Sequence, residues 1–240
     1  YRNLILNQRV NMHTPFVSRT VWEQNGGEVD DLAFQGRVFV AIDLSARNDL
    51  TAIVSLAEGG QGGWQVRPEF WTPQIGLEDR ARRDGAPYDL WVKQGHMATT
   101  PGASVDYDFI ADRLIEIAAE AESVHIVADR WRLKELEAAL SRQDADLAIE
   151  GFGQGFQSMA PALDALEAEL LNRRIRHGMH PVLTMCAGHA VAVNNPAGDR
   201  KLDKSKATGR IDGMVALVMA MGAATSATAE TPKDYQVMIF

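Results

Sequence analysis

The stretch that most constrains this chain is Arg37–Ser45, which reads RVFVAIDLS. Five of the six residues before its acid are apolar, and three of these are β-branched. Such residues suit a buried, pleated strand. The run ends in Asp43, so the sequence predicts a carboxylate at the margin of a sheet. Asp43 can begin a turn, or it can act as a metal ligand or a general base. The choice depends on whether other acids converge on it.

The order of the predicted elements gives the fold class. Two further strands, Thr51–Ala57 and Trp64–Trp71, follow the first across short turns and predict an antiparallel meander. Strands and helices then alternate, with predicted strands at Val124–Ala128 and Leu147–Phe152 and predicted helices at Tyr107–Ala121, Trp131–Gln143, Ala160–Arg173, Val182–Val193 and Arg210–Ala223. We therefore expect an α/β fold whose mixed sheet has three antiparallel strands, then parallel strands, with helices on both faces.

The domain organisation predicted from this pattern has one core. Residues 33–225 form the domain, residues 1–32 form a lead-in or linker, and residues 226–240 form a tail. In the lead-in, Trp22 is predicted to be a packing anchor. The composition, 46% hydrophobic and 23% charged, is that of an ordinary soluble globular protein. No apolar run reaches the roughly 18 residues that a membrane span needs.

The net charge and the single cysteine exclude some classes of function and argue against others. Cys186 is the one cysteine, which excludes an internal disulfide and a cysteine-based zinc site. The formal net charge of −8 argues mildly against a general binder of polyanions. It leaves open an enzyme whose carboxylates hold cations, because bound metal ions invert the local field.

Three acids occupy matching places in the predicted elements. Asp43 and Asp129 each end a strand, and Asp212 begins the last helix. Singly, each has an ordinary explanation as a turn residue, a helix cap or a partner of the helix dipole. Together they predict a site at the sheet margin, where open sheets place their ligands. Three carboxylates would repel one another, and Mg²⁺ or Mn²⁺ with oxygen ligands removes that repulsion.

Several motifs resemble the nuclease domain of a tailed-bacteriophage terminase large subunit, from about residue 20 to about residue 224. They are AIDLSARNDLTAIVSL, TPGASVDYDFI, VADRW, QGFQSMAPALDALEAELLNRRIRHGMHPVL and KSKATGRIDGMVALVMAM. The resemblance implies a ribonuclease H-like fold that cuts concatemeric viral DNA during packaging. It also implies a catalytic, metal-binding triad of Asp43, Asp129 and Asp212 that uses two Mg²⁺ or Mn²⁺ ions.

The resemblance also implies partners and a location. The partners are double-stranded DNA, the small terminase subunit, the portal, and a packaging ATPase that precedes the nuclease domain in the same polypeptide. The chain is expected to act in the host cytoplasm, at the procapsid portal. This sequence has no GxxxxGK[ST] phosphate loop, so no ATP site is expected in it, and it is interpreted as a fragment of a longer polypeptide.

Polar residues near the acids are candidates for contact with DNA or phosphate. They are Lys204, Lys206, Arg130, Gln154 and Ser158. Each also has an ordinary explanation, as a solvated loop lysine, an ion-pair partner or part of a strand-to-helix turn. Asp49 is a candidate accessory acid or a turn cap. His177 and His180 are interpreted as strand-end and loop histidines, because no third metal ligand lies near them in the sequence.

Two other functions remain open from the residues alone. The first is a non-catalytic ribonuclease H-like module that docks the packaging motor to the portal or the small terminase subunit. The second is a relative on the same fold, such as a junction resolvase or a transposase core, which the RIRHG and GRIDG segments speak against. The presence or absence of an ion between the carboxylates separates a nuclease from a docking module.

Overall fold

The computed structural model describes residues 15–44, 50–60 and 62–230. Its helices are α1 (Arg19–Gln24), α2 (Leu77–Asp84), α3 (Tyr88–Lys93), α4 (Tyr107–Glu120), α5 (Leu133–Arg142), α6 (Phe156–Leu171), α7 (Pro181–His189) and α8 (Asp212–Glu230). Its strands are β1 (Arg37–Asp43), β2 (Thr51–Glu58), β3 (Trp64–Pro73), β4 (Ala98–Thr100), β5 (Ser123–Asp129), β6 (Ile149–Phe152), β7 (Ile175–Arg176), β8 (Ala192–Asn194) and β9 (Arg200–Leu202). A 3₁₀ turn at Asp31–Gln35 precedes β1.

Seven of these strands form one mixed sheet in the order β4-β3-β2-β1-β5-β6, with β7 paired to β3. β1 and β2 are antiparallel, as are β2 and β3. β1 and β5 are parallel, as are β5 and β6. The predicted change from antiparallel to parallel pairing is therefore confirmed, and it falls at β1, which lies between the two kinds of neighbour.

The two faces of the sheet bury two different groups of side chains. Along β1, Val38, Val40 and Ile42 point to a cluster that contains residues of α4 and α5. The alternate residues, Phe39 and Ala41, point to a larger cluster built from α6, α7 and α8. Because side chains alternate along a strand, Asp43 continues the Phe39 and Ala41 series and faces α8.

Several predicted helix boundaries differ from the structure, and α6, for example, begins at Phe156 rather than at the predicted Ala160. The helix predicted from Val182 ends at His189, and residues 192–202 form the antiparallel pair β8–β9 instead. The reason is local: Asn195 and Asp199 bond to each other through backbone and side chain and close a turn. α5 begins at Leu133 rather than Trp131, and α8 continues to Glu230, inside the segment predicted as a tail.

The lead-in packs against the domain over its described part. Trp22 on α1 is 3% exposed, which confirms its predicted role as a packing anchor. Its ring stacks on His177 at a centroid distance of 3.9 Å, and its indole Nε1–H donates to Thr184 Oγ1 at 3.1 Å. No helix in the described ranges combines the length and the apolar character that crossing a membrane requires.

Candidate functional site

Two of the three predicted acids end neighbouring strands. The parallel register pairs Ile42 with Ala128, so the next residues, Asp43 and Asp129, lie side by side. Parallel strands lie roughly 4.8 Å apart. Both acids have the same parity as the residues that face α8, namely Ala41 on β1 and Val127 on β5. The sheet therefore brings Asp43 and Asp129 together on one face, at the carboxyl ends of β1 and β5.

The third acid reaches Asp43 through a lysine. The Lys204 Nζ donates to Asp43 Oδ2 at 2.8 Å and to Asp212 Oδ1 at 3.2 Å. Asp43 is 1% exposed and Asp212 is 5% exposed, whereas half of the Lys204 side chain is exposed. A single ammonium thus lies between two buried carboxylates. Of the two lysines predicted near phosphate, Lys204 is the one that lies at the acids.

Opposing effects of neighbouring groups set the pKa of Asp43. Burial raises the pKa of the Asp43 carboxyl, Lys204 lowers it, and the nearby Asp212 carboxylate raises it, which gives a value of about 6. Gln154 also lowers it, since its Nε2–H donates to Asp43 Oδ1 at 3.3 Å. The same carboxylates raise the pKa of Lys204, although burial opposes this. The lysine is therefore held in its charged form.

Asp212 is placed by the tight packing at the start of α8. A Cβ on the next residue, Gly213, would come within 2.7 Å of Phe70 Cζ and 3.0 Å of Leu183 Cδ1. A methyl group at this position would force Phe70, Leu183 or the helix itself to move, so glycine favours a helix start this close to β3 and α7. The second oxygen, Asp212 Oδ2, is buried and has no hydrogen-bond partner. A buried carboxylate oxygen without a partner is costly, and this one lies beside two other charged groups.

Asp129 is held in a different way. Its Oδ1 accepts a hydrogen bond from the Trp131 backbone N–H at 3.2 Å. This contact closes a turn and is not the helix cap that the sequence left open as an alternative, because α5 begins at Leu133 with Arg132 as its N-cap residue. Across the described ranges, no three His, Cys, Asp or Glu side chains stand close enough together to enclose a metal ion. The structure therefore joins Asp43 and Asp212 through Lys204 and leaves Asp129 beside them as a neighbour.

The other predicted residues are distributed around this edge. The Arg130 guanidinium lies along the end of β6, where its Nε–H donates to the Gly151 carbonyl at 3.3 Å. A Cβ on Gly153 would lie 3.1 Å from Ser158 Oγ and 3.4 Å from Arg130 Nη2, so these two groups face the same point. Lys206 is exposed. Asp49 falls outside the described residues.

The sequence did not predict the role of one acid that binds the loop leading into Asp212. Asp84, at the end of α2, accepts hydrogen bonds from Arg210 Nε at 3.0 Å and from the Tyr88 hydroxyl at 3.0 Å. Burial raises the pKa of Asp84, but hydrogen bonds from Arg83 and Arg210 outweigh burial and lower it to about 2. The bond to Arg210 ties α2 to the loop that leads into Asp212. No sequence signal connects residues so far apart in the chain.

The family of the chain follows from comparison with known proteins. It matches the family model described as "Terminase large subunit, endonuclease domain" over residues 2–228. The chain belongs to this family. The resemblance seen in the sequence motifs is thereby confirmed, and with it the mixed α/β, ribonuclease H-like fold of terminase nucleases.

Two curated relatives and one solved structure illustrate the match. The chain is 51% identical over 245 residues to the terminase large subunit of Enterobacteria phage HK97, covering 100% of the chain and 47% of that protein. It is 30% identical over 206 residues to Protein YmfN of Escherichia coli (strain K12), covering 80% of the chain and 44% of that protein. The crystal structure of the HK97 bacteriophage large terminase superposes with a TM-score of 0.81 at 52% identity, over 92% of this chain and 46% of that one. This terminase nuclease domain thus spans less than half the length of these relatives.

Proposed function

We propose that this terminase nuclease domain is a divalent-metal-dependent endodeoxyribonuclease that hydrolyses phosphodiester bonds of concatemeric viral DNA during genome packaging. One observation carries the proposal. Asp43 and Asp212 are buried around a single cation, the Lys204 ammonium, at the end of the central strand. Clustered carboxylates that need a cation are the arrangement expected of a metal-dependent nuclease.

The residues present fit a hard divalent cation. The donor set consists of carboxylate oxygens, which Mg²⁺ and Mn²⁺ prefer. Asp212 Oδ2 is buried without a hydrogen-bond partner and can accept a metal ion. The ammonium of Lys204 already occupies a position between two carboxylates. We assign Asp43, Asp129 and Asp212 as the ligands of two ions, which would supply the polarising charge for water attack and for departure of the leaving oxygen.

The protein's own side chains have separate roles in this proposal. Gln154 holds one oxygen of Asp43 and thereby orients the carboxylate. Lys204 is half exposed, so its ammonium can turn from the carboxylates to a DNA phosphate once cations are bound. Arg130 and Ser158 face a common point at Gly153, and we assign them to phosphate contact. Lys206 is also assigned to contact with the DNA backbone. Asp49 stays a predicted accessory acid.

Plasmid cleavage tests the proposal. Supercoiled DNA is incubated with the protein and MnCl₂ or MgCl₂, and nicked and linear products are quantified on gels. We expect Asp43→Asn, Asp129→Asn and Asp212→Asn each to lower the cleavage rate by at least about 100-fold, because each removes a ligand of the catalytic ions. Asp112→Asn, at an exposed position on α4, is the matched control and should cleave like the unmodified protein. Equal cleavage by all five proteins, or cleavage in EDTA, contradicts the assignment.

The setting of the reaction is part of the proposal. We infer that residues 33–225 form the nuclease domain, that residues 1–32 connect it to an N-terminal packaging ATPase, and that residues 226–240 form a tail. The HK97 relative is more than twice as long as this chain, which supports a further domain in the whole subunit. The proposed protein partners are the small terminase subunit and the portal. The proposed substrate is double-stranded DNA, and the proposed location is the procapsid portal in the host cytoplasm.

A further inference from the structure

The tryptophan that follows the Asp129–Arg130 pair lies almost entirely in water. Trp131 is 87% exposed, whereas Trp22, Trp71 and Trp91 are each 9% exposed or less. An aromatic side chain of this size normally contributes by burying its ring. Trp131 makes no such contribution to this domain, because its contact with the site is through its backbone N–H, which donates to Asp129 Oδ1. The ring is therefore available to a ligand.

Three cations flank Trp131 in a chain whose formal net charge is −8. Arg130, Arg132 and Lys134 surround it in the sequence. Arg132 pairs with Glu135 at 3.4 Å, a contact that is half exposed and therefore weak. Among the described residues, no carboxylate forms a salt bridge with Arg130 or Lys134. An exposed aromatic ring among cations is the pattern of a surface that stacks bases and tracks a phosphate backbone.

The segment around Trp131 lies beside the candidate active site. A groove of about 390 Å³ is lined by Arg130 and Phe152, together with Ser158 and Ser226 from α6 and α8. Phe152 is the partner of Asp129 in the β5–β6 ladder. The groove thus opens beside the acid that lies next to Asp43. A DNA strand whose phosphate reaches the acids can place a neighbouring nucleotide on Trp131.

We propose that Trp131 stacks on a nucleobase of the bound DNA strand, flanked by phosphate contacts from Arg130 and Lys134. The proposal rests on the proposed function, because it places a DNA contact beside that active site. An indole ring can stack only on a base whose face is accessible. The site therefore binds DNA with unstacked bases, such as a mismatch bubble or a gap, more tightly than fully paired duplex.

DNA binding by a cleavage-deficient protein tests this stacking. Asp43→Asn is combined with Trp131→Ala, Trp131→Phe or Leu171→Ala, and affinity is measured by fluorescence anisotropy with a fluorescein-labelled duplex containing a three-nucleotide bubble and with its fully paired counterpart. Trp131→Ala should weaken binding to the bubble about tenfold, in the range of base stacking on an aromatic ring. Trp131→Phe should retain most of the affinity. Leu171→Ala, which removes another exposed apolar side chain at 63% exposure, should change nothing.

Quenching of tryptophan fluorescence provides a second measurement that needs no further variant. Because Trp131 is 87% exposed and the other four tryptophans are buried or partly buried, we expect it to dominate the emission that acrylamide quenches. Bubble DNA should protect it from the quencher. Unchanged affinity in Trp131→Ala overturns the proposal. It would indicate that the exposed ring contacts a protein partner instead of a nucleobase. An equal loss in Leu171→Ala, or no protection by DNA, also overturns it. Failure of the proposed function has a different signature: no plasmid cleavage by the unmodified protein, while Trp131-dependent DNA binding persists.

Discussion

At the scale of the single residue, the Lys204 ammonium offsets the repulsion between the two buried carboxylates, Asp43 and Asp212. Replacing Lys204 by Met removes the ammonium that separates Asp43 from Asp212 and leaves two buried acids facing each other. We expect Lys204→Met to lower the free energy of unfolding by about 1–3 kcal/mol, less than for a fully buried pair because half of the lysine is exposed. Mg²⁺ or Mn²⁺ should then raise the melting temperature of the variant more than that of the unmodified protein.

Thermal unfolding in EDTA and in millimolar MgCl₂ or MnCl₂ measures this difference. Lys206→Met is the matched control, since Lys206 is exposed in the same loop. It should respond to the ions like the unmodified protein. If Lys204→Met and Lys206→Met show the same rise in melting temperature, the ions do not bind between these carboxylates.

The residues of the site differ in how far the sequence predicts them. Asp43 was predictable because it interrupts an apolar, β-branched run, and Asp129 because it ends a second such run. Lys204 and Lys206 were indistinguishable, since loop spacing does not say which ammonium turns inward. Asp84 could not be predicted, because its bond to Arg210 joins residues 126 positions apart. The exposure of Trp131 depends on where α5 begins, and the helical pattern placed that start two residues too early.

At the scale of the element, the start of α8 controls the position of Asp212. Gly213→Ala introduces a methyl group whose carbon would lie within 3.0 Å of atoms of both Phe70 and Leu183. We expect a loss of about 1–3 kcal/mol from overpacking, because Phe70, Leu183 or the start of α8 must shift. A shift of the helix displaces Asp212, so we also expect a fall in DNA cleavage. Urea unfolding and plasmid cleavage measure the two effects.

A second glycine provides the control for this element. Gly188 lies in α7, and a Cβ there meets nothing within 4 Å. Gly188→Ala should leave cleavage unchanged and should not lower stability, since alanine favours a helix by up to about 1 kcal/mol over glycine. Full cleavage by Gly213→Ala would show that the position of Asp212 tolerates a shift of the helix.

The elements themselves were more predictable than their ends. Alternating and continuous apolar runs placed β1, β2, β3 and β5 within two residues of their observed bounds. The β8–β9 pair was missed because its strands are only three residues long and follow a helix without a break in apolar character. The turn that pairs them depends on contacts between Asn195 and Asp199, which the hydrophobic pattern does not report.

At the scale of the whole molecule, a buried histidine joins the lead-in to the domain. The His177 Nε2–H donates to the Trp22 carbonyl at 3.0 Å, and His177 Nδ1 accepts from the Met179 N–H at 3.3 Å. The second contact needs the neutral ring, because a protonated Nδ1 cannot accept a hydrogen bond, whereas Nε2–H can donate in either state. Burial lowers the pKa of His177 to about 4, from an ordinary value of 6.5. The unfolded chain therefore binds a proton at higher pH than the folded protein does.

The consequence is a pH dependence of global stability with a definite sign. The contribution of His177 is fully present above its unfolded pKa and is lost as the pH falls toward its folded pKa of about 4. Between pH 7.5 and pH 5, we expect this residue alone to lower the free energy of unfolding by about 2 kcal/mol. Urea unfolding across this range measures the fall.

Comparison with His177→Gln isolates this residue from the other titrating groups. The variant should be less stable at pH 7.5, because it loses the stacking on Trp22 and one of the two fitted hydrogen bonds. Its stability should then fall less steeply with decreasing pH, since it lacks one group that takes up a proton on unfolding. His180, whose pKa burial also lowers to about 4, remains in both proteins and contributes equally to both slopes. Parallel curves for the two proteins would mean that His177 takes up no proton on unfolding in this range, and that the docking of the lead-in does not depend on its neutral ring.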